Sequence, residues 1–451
     1  MKSVFPLLVA SALLAGCQTV APVLPAPTLG SSVSRLTVTI DPKDDIHEGA
    51  ATYPLGFGSG LDFVGVQNGE WVFWGITDRG PNLDGPSVGP LTSKIFPAAS
   101  FHPSLAEVHV KDGVARVTRV VPITAAGKAI TGLPLPAGAV GFSQEVALSP
   151  DLQDLGNDVN GLDTETVRVD PKNPGRVWIS DEYGPFILSV DTKTGAIIQK
   201  FGPGTGLPTL LAKRQANRGM EGLAVTPSGR VVGAMQSILD LDGKVKTSKA
   251  PFTRLVTLDP AGGKTAQFAY PIDAVYKKAA DAKIGDLVAL SETEFLILEQ
   301  GNDKSGAARN LVYKISLLGA TDLTGKTTAQ GQEWEAAASL DELKAGGIVP
   351  VSKTLVMDLR QSWSWTSDKA EGLAVIDRRR FAVISDNDFG LATMVENPAA
   401  ADGKPVTDPT AYALENGVLT LDKKPTEAKL KAGSNGQPTA FWVFTTLDPL
   451  F

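Results

Sequence analysis

Cysteine is nearly missing from this sequence: Cys17 stands alone among 451 residues. One cysteine excludes an intrachain disulfide, a thiolate metal site and, at that position, a cysteine nucleophile. Histidine is almost as scarce; His47, His102 and His109 are the only three and lie scattered. Zinc is therefore a poor fit, since its sites draw on imidazole and thiolate. No histidine makes a catalytic triad readable. GPSVG (Gly85 to Gly89) fits G-x-S-x-G formally, but it sits in a Pro/Gly-rich loop, not on a strand-to-helix elbow. There is no surplus of positive charge either. The formal net charge is −7, and no basic cluster is present, which argues against nucleic acid as a partner. Apolar runs of about 18 residues, enough to cross a bilayer, are absent. Helical periodicity is confined to GQEWEAAASLDELKAG, Gly331 to Gly346, which reads as one helix in an insertion.

The N-terminus carries a targeting signal. MKSVFPLLVASALLAGC places Lys2 ahead of a short apolar core and small residues, as in a secretory signal. LLAGC resembles the lipobox of bacterial lipoproteins. The resemblance implies cleavage after residue 16 and lipidation of Cys17, anchoring the chain to a membrane. Thr19 to Ser32 is then a Pro-rich tether. The expected organisation is a signal peptide at 1–16, a lipidated tether at 17–33 and a soluble domain at 34–451. Gln18, rather than Asp, after the lipidated residue points to the outer membrane of a bacterial envelope, on the periplasmic side.

What the sequence has in abundance is a repeat. Glycine (46) and proline (31) mark many turns, and apolar content of 43% with charged content of 20% is that of a globular chain. A unit of Gly-Leu, alternating strand, turn and second apolar strand recurs along the chain. It is seen at Gly60 to Gly80, Gly161 to Gly184, Met220 to Ser237, Ile284 to Asn302 and Ala370 to Asp388. Two further strand-like runs follow several of these units. Four strands per unit predict an all-β fold, a β-propeller of five to six four-stranded blades. A pair of β-sandwiches is the alternative, and the repeat argues against it. Ser34 to Ile40, paired with Ala440 to Leu447, would close a sixth blade. Insertions are expected at Pro122 to Ala139 and Thr321 to Lys353.

The second strand of several units ends in acids, as in ISDEYG (Ile179 to Gly184) and RFAVISDNDFG (Arg380 to Gly390). In a propeller, the ends of second strands and the entries to first strands open on one face of the central channel. Glu165, Glu221, Asp286 and Glu371 would then meet Asp181, Glu299, Asp386 and Asn387 there, with Asp78, Asp163 and Glu182 close by. Clustered like charges need a cation, and hard oxygens from several blades suit Ca²⁺. The opposing reading is that each acid caps a turn. Arg79, Arg214 and Arg218 lie in neighbouring loops and are candidates to bind phosphate or carboxylate oxygens; the opposing reading pairs them with the adjacent acids. Glu221, Glu371 and Asp386 are the catalytic candidates.

MEGLAV, RLVTLDP before AYPID, LILEQGN and EGLAV with ISDNDFG together resemble the bacterial phytase-like family ("esterase-like activity of phytase"), over about Ala50 to Phe389. The resemblance implies a secreted or lipid-anchored propeller that hydrolyses phosphoric esters with calcium, acting on a small molecule as a monomer. Gln300 departs from the Arg expected after Glu299. The EG-L and SDN elements also resemble calcium-dependent propeller lactonases, which would implicate Glu221, Glu371, Asp386 and Asn387. A third expectation is a non-catalytic binding propeller at the envelope.

Overall fold

The computed structural model describes residues 32–41, 46–48 and 51–451. The expected signal peptide, Cys17 and nearly all of the expected tether lie outside them. Among the described residues no helix is long and apolar enough to cross a membrane.

Twenty strands form five antiparallel four-stranded blades. Blade 1 is Gly60–Gln67, Glu70–Ile76, Ser104–Lys111 and Val114–Pro122. Blade 2 is Thr164–Asp170, Asn173–Asp181, Phe186–Asp191 and Ile197–Pro203. Blade 3 is Met220–Val225, Val231–Met235, Phe252–Leu258 and Thr265–Pro271. Blade 4 is Lys283–Ala289, Glu294–Asn302, Ala308–Ser316 and Ser352–Asp358. Blade 5 is Gly372–Asp377, Arg380–Ile384, Phe441–Thr446 and Ser32–Ile40. The terminal strands therefore complete the fifth blade instead of forming a sixth. The outermost strand of blade 5 also pairs in parallel with that of blade 1, Thr39 opposite Val114, which ties the ring shut.

The strands form where β-branched and aromatic residues alternate, and the hairpins turn on residues that accept positive φ. Asn68-Gly69 and Asp112-Gly113 both lie in the left-handed region, as two-residue type I′ hairpins require. The core is divided between neighbouring blades: five apolar clusters each span one blade-to-blade interface. Helix is minor. The insertion in blade 4 holds a 3₁₀ turn, Trp334–Ala336, and a six-residue helix, Leu340–Ala345, in place of one longer helix.

A further element was not anticipated. Long insertions between strands two and three of blades 1 and 5 meet over one face of the ring. Leu83–Asp84 and Thr92–Ile95 come from blade 1; Leu391–Glu396, Val418–Leu421 and Lys429–Ser434 come from blade 5. They share a sixth apolar cluster containing Leu83, Ile95, Tyr412 and Leu430. Main-chain bonds from Ser87 N to Tyr412 O and from Leu414 N to Ser87 O join the two halves of this cap.

Candidate functional site

The innermost strands of blades 2, 3 and 4 carry a bulge at their entry, between Thr164 and Val167, Met220 and Gly222, and Ile284 and Asp286. In blade 5, Glu371 N and Gly372 both face Ile384. A bulge re-aims the side chain of the extra residue. At this position stand Glu165, Glu221, Gly285 and Glu371. A Cβ on Gly285 would lie 2.3 Å from the Ala370 carbonyl oxygen, so blade 4 has no room for an acid there. Its carboxylate, Asp286, comes one residue later.

Glu165, Glu221 and Glu371 bring carboxylate oxygens within 4.8 Å of one another, and so do Asp163, Glu165 and Glu182. All five acids are buried. Arg79 lies 3.5 Å from Asp163, but no cationic side chain of the described residues stands within 4.0 Å of the four glutamates. Burial, reinforced by the other acids, pushes Glu165 and Glu221 far above the usual carboxylate range. Burial likewise pushes Glu182 and Glu371 up to about 8. Two glutamines clamp the group. Gln236 Nε2 donates to Glu182 (2.8 Å) and Glu221 (2.9 Å), and Gln300 Nε2 donates to Glu371 at 3.1 Å. The buried amide oxygens of Gln236 and Asn217, whose amide nitrogens both bond Glu182, have no donor among the described residues. Unsatisfied buried acceptors beside unpaired carboxylates fit a hard cation with oxygen ligands, and the set contains no nitrogen or sulfur donor.

The other expected ligands stand apart from this group. Asp286 is saturated: it accepts from Arg168 (2.7 Å), Thr166 (2.8 Å), Leu287 N and Leu373 N. Arg168 also donates to Leu61 O and Leu287 O, so the pair joins blades 1, 2, 4 and 5. Glu299 accepts from Tyr270, Tyr276 and Lys353, within 2.9 Å in each case. Asp181 accepts from the amides of Asp163 and Gly184, a turn role. Asp386 and Asn387 lie at the rim. Lys369 Nζ holds Asp386 at 2.6 Å and Asp388 at 2.7 Å. Asp388 and Phe389 both have positive φ (52° and 55°), strain of about 1–3 kcal/mol each that persists only where surroundings enforce it. Phe389 is buried against Phe101.

The three arginines are each bonded to the protein, Arg218 through Nη1. Arg79 pairs with Glu145 at 2.8 Å. Arg214 donates to the carbonyls of Tyr183 and Phe142, and Arg218 to Ser237 Oγ and Ala280 O. The lysines nearest the acids, Lys369 and Lys283, were not singled out in the sequence. Both lie two residues before the bulge position, in SDKAEG and AKIGD, which is the signal that could have found them. Gln236 carries no such signal. Between cap and rim lies a cavity of about 390 Å³, lined by Lys94, Lys369, Asp386, Asn387 and Gln437 among others.

The family model described as "Phytase-like: Esterase-like activity of phytase" matches residues 54–389. The chain belongs to this phytase-like family. The match runs from just before blade 1 to the rim loop of blade 5, so the phytase-like region contains the whole acidic group. No curated protein matches the chain. Solved structures resemble it distantly. A protein of unknown function from Dyadobacter fermentans DSM 18053 is 10% identical, with 92% of this chain and 98% of that one covered and a TM-score of 0.33. Hydrazine synthase from Kuenenia stuttgartiensis is 10% identical, with 76% and 80% covered and a TM-score of 0.29. At such scores neither likeness carries an argument.

Proposed function

We propose that this phytase-like propeller is a calcium-dependent hydrolase of phosphoric esters, anchored to the bacterial envelope through Cys17. The observation that carries the reading is the group of four buried glutamates without a cationic partner, next to amide oxygens without donors. Glu165, Glu221, Glu371 and Glu182 would hold the ion, with Asp163 and Gln236 beside them. Calcium would supply charge stabilisation at an ester oxygen. The chain's own contribution is placement. Gln236 and Gln300 fix the glutamates, Lys369 fixes Asp386 at the rim, and the cap narrows the approach to a small ester. Periplasmic location and action as a monomer belong to the same proposal.

The test is thermal unfolding with EDTA and then with added Ca²⁺, alongside phosphate release from soluble esters. A ligand at 100 times its Kd stabilises by about 2.7 kcal/mol. A calcium-dependent rise and calcium-dependent turnover, both lost in Glu371→Ala, are expected. An unchanged melting temperature would overturn the reading.

One observation favours a second reading. Arg79, Arg214 and Arg218 are engaged by protein acceptors, which weakens the case for phosphate and suits a calcium-dependent lactonase or carboxyl esterase. Lactone hydrolysis without phosphate release, insensitive to Arg218→Ala, would select it.

A further inference from the structure

Blades 2 to 5 each place a cross-strand pair just above the bulge position. In blade 2 the pair is Asp163 with Glu182, whose backbones bond. In blade 3 it is Gly219 with Gln236. In blade 4 it is Lys283 with Gln300. In blade 5 it is Lys369 with Asp386, joined side chain to side chain at 2.6 Å. The two lysines thus occupy equivalent positions, and their partners differ. Lys369 meets an acid and is consumed by it. Lys283 meets a neutral amide already committed to Glu371 and Asn310. No ion pair or hydrogen bond within the described residues uses the Lys283 ammonium. Its strand partner Gln300 bonds Glu371 at 3.1 Å, which sets Lys283 beside the acidic group, and its charge is felt by Glu182, Glu221 and Glu371. Burial, together with Arg218, disfavours that charge. The Lys283 side chain is half-buried, and an ammonium with no protein acceptor in such a place gains when an anionic oxygen arrives.

We propose that Lys283 is a substrate contact, its ammonium donating to an anionic phosphoryl oxygen of the ester seated at the glutamate group. This rests on the reading above and adds the residue that recognises the phosphate, a role the three arginines do not fill. A cation on the glutamates leaves the geometry intact, because those carboxylates then have no reason to draw Lys283 in. The alternative role, a distant counter-charge for the acids, makes a different prediction about phosphate. Removing a counter-charge only changes the affinity for the ion; removing a contact abolishes the affinity for phosphate.

The experiment is calorimetric titration of inorganic phosphate into the full chain with Ca²⁺ present, for the native protein, Lys283→Met and Lys283→Arg. The calcium-induced melting shift is measured for each as a check on folding. The expected result is at least a tenfold loss of phosphate affinity in Lys283→Met, with the calcium shift kept or enlarged, and substantial recovery in Lys283→Arg. Phosphate binding equal to native in Lys283→Met overturns the inference and leaves the calcium reading standing. Absence of phosphate binding to the native protein also overturns it. Absence of a calcium shift in the native protein defeats the calcium reading instead; phosphate binding that still depends on Lys283 would then support the contact without the ion.

Discussion

Two carboxylates from neighbouring blades, Asp286 and Glu371, end up in the same channel and live in opposite circumstances. Asp286 is fully buried and accepts four hydrogen bonds, one from the Arg168 guanidinium at 2.7 Å. Glu371 is also buried, yet among the described residues the only side-chain donor bonded to it is the Gln300 amide at 3.1 Å. Burial pushes Asp286 only to about 6 against the opposing Arg168, while Glu371 is pushed up to about 8. A buried acid that finds its donors inside the protein becomes a joint of the fold. One that does not has capacity left for something from outside. The difference lies in the donors around the carboxylate, since both sit at the entry of an inner strand.

The comparison breaks most visibly at Arg168. Arg168→Met leaves Asp286 charged and uncompensated, and an unfolding free energy lower by about 3–5 kcal/mol is expected in urea titration, with or without calcium. A loss below about 1 kcal/mol would mean that the joint is not one.

Substitution in the glutamate group should act with the opposite sign. In EDTA at pH 8, Glu371→Gln removes a strained charge and is expected to stabilise by on the order of 1–3 kcal/mol, a tenfold change in proton affinity being worth about 1.4 kcal/mol. The same change should erase the calcium-dependent melting shift. Destabilisation in EDTA would place Glu371 in the class of Asp286.

The pH profile sharpens the contrast without mutation. Glu182 and Glu371 are raised in the folded state, to about 8, above the usual value of 4.5. Between those values the folded state binds more protons than the unfolded one. Metal-free stability should therefore fall as pH rises from about 5 to 9, levelling off above the folded values. Calcium affinity should rise over the same range, because the ion competes with those protons. A flat metal-free profile would contradict the unpaired state of the glutamates.

The smallest effect is expected at the rim. Lys369 is 38% exposed, so Lys369→Met should cost only about 1 kcal/mol or less, although it frees Asp386 and Asp388. A larger loss in thermal melts would show that the strained Asp388-Phe389 turn depends on this one ammonium.

Much of the architecture was legible. Recurring Gly-Leu strands, glycine- and proline-marked turns and acids at strand ends are local patterns, and they led to a propeller with an acidic face. The pairing of the terminal strands was legible, but not that they complete the blade of Gly372–Asp377 and Arg380–Ile384, because a long insertion separates Arg380–Ile384 from its partner Phe441–Thr446. The cap was missed because its strands are short and its cluster assembles from segments some three hundred residues apart, as Thr393 on Asp84 illustrates. Trp365 is buried edge-on against Trp442, their ring centroids 4.9 Å apart. Glu299 could not be told from Glu221 by sequence, since Tyr270, Tyr276 and Lys353 come from two other strands and a loop.

Taken alone, the sequence determined the class of strand, the turn positions, the family motifs and the presence of acids at a common phase, because each depends on neighbours within a few residues. Tertiary structure decided which acids are joints and which are left unpaired. That outcome depends on whether a cation such as Arg168 or Lys353 from a distant strand arrives within bonding distance, and on whether a bulge turns the carboxylate toward the channel or, as at Gly285, leaves no room for one.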